Sequence, residues 1–201
     1  AEGAIMKRKT FHLILMMLLL LAFGGCEGIR YSHVAPEAKD FHPKKIGVLP
    51  ADVGTYEEAR GIVDQIIADA LIDTRWFTDV VAAAEMNSRI KSSAAHQKVF
   101  AEYISKLGAV NFSDPDLSRK IGEMTKVDAF LLVNVDYWNY TKEKDDKMAK
   151  VDMGIKMIDA ASGKIIWNAW HQEVDDYVLM KPALPDVAKS LVKKMIKEMP
   201  H

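Results

Sequence analysis

Few side chains in this sequence have the types and spacing that chemistry requires. Its 201 residues contain a single cysteine, Cys26, which can act as a nucleophile but cannot form an intramolecular disulfide or a cysteine-based zinc site. Two acidic pairs, Asp145-Asp146 and Asp175-Asp176, could serve in acid–base catalysis or bind a cation. Successive residues of an extended chain point in opposite directions, so we interpret both pairs as solvated charge beside turns.

The motifs of common enzyme classes are missing from the sequence. It contains no nucleophile elbow, zinc-protease motif, dinucleotide-binding loop or phosphate-binding loop. Gly163-Lys164 lacks the flanking residues of a phosphate loop and is interpreted as a hairpin turn. His171 lies in a predicted strand, where a lone histidine is usually structural. We therefore predict no enzyme activity, no catalytic residue, no metal site and no cofactor.

The amino-terminal segment has the layout of a secretory signal. Lys7, Arg8 and Lys9 precede a nearly continuous apolar run, Phe11–Phe23. Crossing a bilayer takes about 20 apolar residues, whereas this run has 13 positions, one of them His12. We therefore predict a signal peptide over residues 1–25 rather than a transmembrane helix. The five residues before Met6 are interpreted as extra leading residues or as the result of a misplaced start codon.

The cysteine stands where a bacterial lipoprotein signal would place it. Phe23-Gly24-Gly25-Cys26 resembles the lipobox, although most lipoboxes have Leu where Phe23 stands. The resemblance implies that Cys26 is lipidated and becomes the first mature residue, and more than one acyl chain gives a stable anchor. Glu27 follows, where Asp acts as an inner-membrane retention signal in enterobacterial lipoproteins. We therefore expect an outer-membrane lipoprotein that faces the periplasm, with exposure on the cell surface as an alternative.

Composition and length limit the partners and the number of domains that the rest of the chain can have. Lys and Arg number 27 against 28 Asp and Glu, a net charge of -1, so the chain lacks the basic surface typical of nucleic-acid binders. The length suits one domain. We predict a flexible tether over residues 26–44, which contain Pro36 and Pro43 and no apolar period. A single domain is predicted over residues 45–201.

Apolar periodicity and turn residues predict the elements of this domain. In chain order they are a strand at 45–50, a helix behind a Thr55-x-x-Glu58 capping box, a short strand at 78–82, helices over 84–107 with a break near Ser92-Ser93, a helix capped by Asp114, strands at 127–140, 150–157 and 165–174, and a final helix from Pro185. A β-α-β opening followed by an antiparallel meander predicts an α/β (α+β) fold, a mixed sheet with helices packed on it.

Three segments resemble a known family in their order. KKIGVLP (44–50), LSRKIGEMTKVDAFLLVNVDYW (117–138) and KMIDAASGKIIWNAW (156–170) follow one another as in a bacterial lipoprotein family typified by a neisserial surface lipoprotein of unassigned function. The fold also resembles the periplasmic domain of CsgG, the amino-terminal domain of TolB, and LpoB. The resemblance implies a role in envelope assembly or export through protein contacts. The amphipathic hairpins that build the CsgG channel are missing, which argues against a pore.

Aromatic residues near the ends of two predicted strands are the candidate partner surface. Trp138 and Tyr140 end the central strand, while Trp167 and Trp170 are three residues apart on the last strand and should point to opposite faces. Exposed Trp and Tyr are enriched at interface hot spots. We hypothesise that Trp138, Tyr140 or Trp170 contributes to a partner surface, with core packing as the alternative.

Together these features predict a non-enzymatic adaptor or assembly factor, held at the membrane by its lipid and acting through self-association or another envelope protein. The first alternative is a lipoprotein that binds a lipid or glycan between helix and sheet, and a hydrolase is the second. A large apolar pocket would favour the ligand binder, an exposed aromatic patch the adaptor, and a perturbed acid in a cleft the hydrolase. The lysines of the final helix could also face anionic lipid.

Overall fold

A computed structural model of the chain describes residues 29–110 and 112–201, with Val110 described as backbone only. The predicted signal peptide over residues 1–25 and the predicted lipidation site at Cys26 lie outside these residues.

One mixed sheet of six strands organises the molecule, in the order β1-β6-β5-β4-β2-β3. The strand β2 runs parallel to β3 and β4, whereas β4, β5, β6 and β1 are antiparallel neighbours. The predicted α+β class and mixed sheet are confirmed. The strands are β1 (Tyr31–Val34), β2 (Lys45–Val48), β3 (Asp79–Val81), β4 (Ala129–Glu143), β5 (Asp146–Asp159) and β6 (Ile165–Tyr177).

In the part of the chain that the structure describes, five α-helices lie on the two faces of the sheet. They are α1 (Ile62–Thr74), α2 (Ala83–Lys91), α3 (Ala94–Val110), α4 (Pro115–Thr125) and α5 (Leu184–Ile196). Helices α1 and α5 pack together on one face, and α2, α3 and α4 pack against one another on the other. No helix in the described ranges is long and apolar enough to cross a membrane.

Each face of the sheet has its own hydrophobic core. Beneath α1 and α5, the alternate residues Val133, Met153 and Trp167 are buried. On the other face, Phe130 and Ile158 pack with the side chains of α2, α3 and α4. This second core covers β2, β3 and the adjoining ends of β4 and β5, as expected for strands that are apolar on both sides.

The segment predicted as a flexible tether differs from the prediction. Strand β1 pairs with β6, from Tyr31 opposite Trp170 to Val34 opposite Trp167. A 3-10 helix, Pro36–Asp40, follows and buries Ala38. All four side chains of β1 are exposed, so the strand has no apolar alternation and is held mainly by backbone hydrogen bonds to a distant partner. Sequence periodicity cannot detect such a strand.

Of the predicted helix boundaries, one cap is confirmed and another is wrong. The carboxylate of Asp114 accepts hydrogen bonds from the backbone N–H groups of Asp116 at 3.0 Å and Leu117 at 3.1 Å, which is the geometry of an N-cap. The Thr55 capping box is wrong, because a turn and a short 3-10 helix, Glu57–Ala59, intervene. Helix α1 begins only after Gly61, which has a φ of 75° and provides no side-chain cap.

Candidate functional site

Half of one sheet face carries polar and aromatic side chains instead of a second core. Buried Val151, Met153 and Trp167 point toward α5, so strand alternation places the residues between them on the opposite side. We call this surface the open face. It comprises Asn134 and Tyr137 on β4, Lys150, Asp152, Gly154 and Lys156 on β5, and Asn168, Trp170 and Gln172 on β6.

Asp152 lies at the centre of the open face and is only 8% exposed. Trp170 is its diagonal neighbour on β6, and its Oδ1 atom is buried with no hydrogen-bond partner. Burial raises the pKa of this carboxyl, and the negative charge of Asp136 raises it further. The positive charges of Arg30 and Lys150 oppose both effects.

Two cations lie over aromatic rings beside this carboxylate. The guanidinium carbon of Arg30 is 5.3 Å from the centre of a Trp170 ring, and Nζ of Lys150 is 5.0 Å from the ring centre of Tyr137. Both distances are within the range of cation–π attraction. The open face therefore presents long cationic side chains that are already positioned, together with two half-buried aromatic rings.

A β-bulge decides which aromatic residue of β4 reaches this surface. The pairing with β5 shifts between Val135 and Tyr137, so one extra residue, Asp136, is inserted and the alternation changes phase. Tyr137 is therefore on the open face, and Trp138 is turned into the core with 2% exposure. Trp138 is thus not accessible as the partner residue that the sequence suggested.

Tyr140 lies on the opposite side of the sheet from Trp170. It is half-buried against the core below α1 and α5, and its hydroxyl donates to the carbonyl oxygen of Pro182 at 2.8 Å. Trp170 is on the open face and Trp167 is fully buried, which confirms that these two rings point to opposite faces. The three predicted partner residues therefore occupy three different environments.

The positions of His171 and the two acidic pairs agree with a structural role for the histidine and with solvated charge for the carboxylates. His171 is 6% exposed, and its Nδ1 accepts the backbone N–H of Arg30 at 3.3 Å. The carboxylates of Asp145-Asp146 and Asp175-Asp176 are exposed near the end of the β4–β5 hairpin. Within the described part of the chain, no group of three or more His, Cys, Asp or Glu residues could hold a metal ion.

A groove between α3 and the sheet adjoins the open face. Its volume is about 350 Å³, and Asn134 and Lys156 of the open face form part of its wall. The apolar wall consists of Phe100, Ile104 and Leu107 of α3 and Leu132 of β4. The structure leaves part of it accessible, with Ile104 36% exposed.

Known proteins match this chain in structure and not in sequence. No family model and no curated protein matches the sequence. The PelC dodecamer from Paraburkholderia phytofirmans matches with a TM-score of 0.54 and 14% identity, over 85% of this chain and 95% of that chain. Lipoprotein GNA1162 from Neisseria meningitidis matches with a TM-score of 0.50 and 16% identity, over 78% of this chain and all of that chain (100%). The chain has the fold of these two proteins.

The shared fold confirms the resemblance to the neisserial lipoprotein that the order of the three segments indicated. The similarity to CsgG, TolB and LpoB remains a prediction. At identities of 14% and 16% the likeness describes the fold alone.

Proposed function

We propose that this protein is a lipid-anchored, periplasm-facing lipoprotein of the bacterial envelope that acts without catalysis, as an adaptor or assembly factor. Two features support the anchor: the lipobox that ends at Cys26, and a fold shared with a neisserial lipoprotein. The absence of Asp after Cys26 favours the outer membrane. The contact surface that we propose is the open face.

The observation that carries this proposal is the uncovered half of the sheet around Asp152. Aromatic residues and arginine are enriched where proteins bind one another, and Trp170, Tyr137 and Arg30 lie together here. The same surface contains no metal cluster among the described residues.

The partner in this proposal is a second copy of the chain or another envelope protein. Self-association is supported by the PelC structure, which is a dodecamer. Nucleic acid is not proposed as a partner, because the chain has a net charge of -1.

Site-specific photocrosslinking in cells tests the open face. A photoreactive amino acid would replace Trp170 in the full lipidated chain, and the matched control would replace Lys189, an exposed residue of α5 on the other side of the molecule. We expect a discrete protein adduct from position 170 and none from position 189. Equal or absent adducts at the two positions would contradict the proposal.

The lipid anchor has its own test. Wild-type protein should incorporate labelled fatty acid, and the Cys26→Ser variant should not. Label that remained on the Cys26→Ser protein would show that the anchor had been assigned incorrectly.

The groove supports a second candidate function, the binding of a lipid or glycan between helix and sheet. Its apolar wall and volume of about 350 Å³ suit one small apolar group rather than a whole lipid. Asp152 does not line this groove, so the perturbed acid and the groove do not form one catalytic cleft. Native mass spectrometry of protein purified from envelope should show a bound small molecule that Ile104→Trp displaces and Ile72→Trp, an exposed control in α1, retains.

A further inference from the structure

Three consecutive large apolar residues are exposed directly after β6. Val178 is 86% exposed, Leu179 is 94% exposed and Met180 is 88% exposed. Single exposed apolar side chains are ordinary, but a contiguous group marks a surface that contacts a protein or a membrane. We call residues 178–180 the apolar loop.

Contacts at both ends of the apolar loop hold it away from the core. The hydroxyl of Tyr140 donates to the carbonyl oxygen of Pro182 at 2.8 Å, and Nζ of Lys181 is 3.4 Å from the Tyr140 ring centre. The ring of Tyr177 meets Tyr140 edge-on, with the centroids 6.2 Å apart. The loop is therefore fixed at both ends while its three side chains remain in solvent.

The described chain begins beside the half of β6 that leads to the apolar loop. Strand β1 is antiparallel to β6, so moving back from Val34 to Tyr31 follows β6 forward from Trp167 to Trp170. The backbone N–H of Arg30 then bonds to His171. Ile29, the first described residue, therefore lies beside the middle of β6, on the half of the strand that leads to the apolar loop.

The distance to the predicted anchor is short. Three peptide units join Ile29 to Cys26, so their Cα atoms cannot be more than about 11 Å apart in any conformation. From His171 to Tyr177, β6 continues toward the apolar loop for about 20 Å. The extended segment is therefore shorter than the remaining length of β6, so an acylated Cys26 and the apolar loop reach the same bilayer only if the sheet is inclined to its surface.

We propose that Val178, Leu179 and Met180 insert into the interfacial region of the bilayer that holds the acyl chains of Cys26. The domain would then be held by two contacts, the lipid and the apolar loop, with its sheet inclined to the bilayer surface. This inference rests on the lipidation of Cys26 in the proposed function.

The charges around the loop indicate whether it would bind an anionic or a zwitterionic membrane surface. Lysines and carboxylates nearly balance at this end of the sheet, so attraction to anionic lipid is weak and burial of apolar area provides the binding. We therefore propose a zwitterionic surface. The charged residues are Lys142, Lys144, Lys147 and Lys181 against Glu143, Asp145, Asp146, Asp175 and Asp176.

An environment-sensitive fluorophore at position 179 tests the insertion. The lipidated full chain with Leu179→Cys would be labelled with a nitrobenzoxadiazole dye, because acylation leaves no other thiol in the chain. Ala161→Cys provides the matched control, an exposed position in the β5–β6 turn at the opposite end of the sheet. In phosphatidylcholine vesicles we expect a blue-shifted emission at 179 and several-fold stronger quenching by nitroxide-labelled lipid than at 161. Added anionic lipid should not strengthen either signal.

Two results would overturn the inference while leaving the anchor intact. One is an emission of the dye at position 179 that stays unshifted although the acylated protein floats with the vesicles. The other is a blue shift at 179 that needs no vesicles and grows with protein concentration, which would assign the loop to a second copy of the chain. An unacylated Cys26, read from the intact mass, would contradict the proposed function itself and remove this inference with it.

Discussion

Asp152 and Trp170 lie on the open face as diagonal neighbours on the adjacent strands β5 and β6, and the Oδ1 atom of Asp152 is buried without a hydrogen-bond partner. On the same face the guanidinium of Arg30 lies over the indole of Trp170, 5.3 Å from a ring centre. A buried acceptor with no donor costs free energy in the isolated chain. The stability of the protein should therefore be higher without this charge.

The first prediction concerns the pH dependence of stability. Burial holds the pKa of Asp152 above its ordinary value of 3.8. Between the ordinary and the raised value, the folded chain binds more protons than the unfolded chain, so the contribution of Asp152 to the free energy of unfolding decreases as pH rises. Asp152→Asn should remove this decrease and raise the free energy of unfolding at pH 7 by about 1 kcal/mol.

Urea unfolding of wild type and Asp152→Asn between pH 4 and pH 7 measures this difference. Asp136→Asn is the control, since it removes the neighbouring charge but leaves Asp152 ionisable, and it should reduce the pH-dependent loss only in part. Parallel stability curves for wild type and Asp152→Asn would contradict the prediction.

The second prediction concerns Gly154, which lies opposite Asn134 in the β4–β5 pair. A Cβ atom at position 154 would lie closer to Oδ1 of Asn134 than atoms can pack. Gly154→Ala should therefore cost about 1–3 kcal/mol, and Asn134→Ala in the same chain should recover much of it. Denaturant titration of the two single variants and the double variant measures this coupling.

Gly108→Ala is the matched control for Gly154→Ala. Gly108 lies in helix α3 with nothing within 4 Å of an added Cβ, so alanine there should stabilise the protein by about 0.5–1 kcal/mol. A Gly154→Ala protein as stable as Gly108→Ala would show that Asn134 moves aside freely.

The third prediction tests the bulge at Asp136. Because the bulge turns Trp138 into the core, Trp138→Ala should destabilise the protein by about 3–5 kcal/mol. Tyr137→Ala should cost much less, since Tyr137 is on the open face. Equilibrium unfolding measures both, and the order of the two effects would be reversed if β4 continued without the bulge.

The fourth prediction compares two residues that the sequence proposed as helix caps. Asp114→Ala should cost about 1 kcal/mol, because its carboxylate accepts two backbone N–H groups of α4 and also bonds to Lys106 at 2.8 Å. Thr55→Ala should change the stability by less than about 0.5 kcal/mol, since Thr55 is exposed and caps no helix. Thermal melts of both variants measure the difference, and equal losses would contradict the structure.

Local chemistry explains which elements were predictable. The cap at Asp114, the break between α2 and α3, and the turn at Gly163, which has a φ of 72°, depend on a few neighbouring residues. Strand alternation likewise separated buried Trp167 from Trp170. The predicted cap at Thr55 is wrong although the capping-box motif is present, because the residues after Thr55 form a turn and a 3-10 helix before α1 begins. The identities of the neighbouring residues do not reveal this difference.

The candidate site depended on longer-range order. Asp152 alternates with apolar neighbours in the sequence like any solvated strand residue. Its burial follows from the neighbouring strands, which bring Trp170 and Arg30 to it from far along the chain.

By itself, the sequence determined the order of helices and strands, and the position of Cys26 led to the predicted compartment. Both depend on residues that are adjacent in the chain. Tertiary structure decided two further features: the pairing of β1 with β6, and the phase change that buries Trp138 and displays Tyr137. Each of these is set by strand register between residues distant in the chain, and a shift of one residue moves a side chain from one face of the sheet to the other.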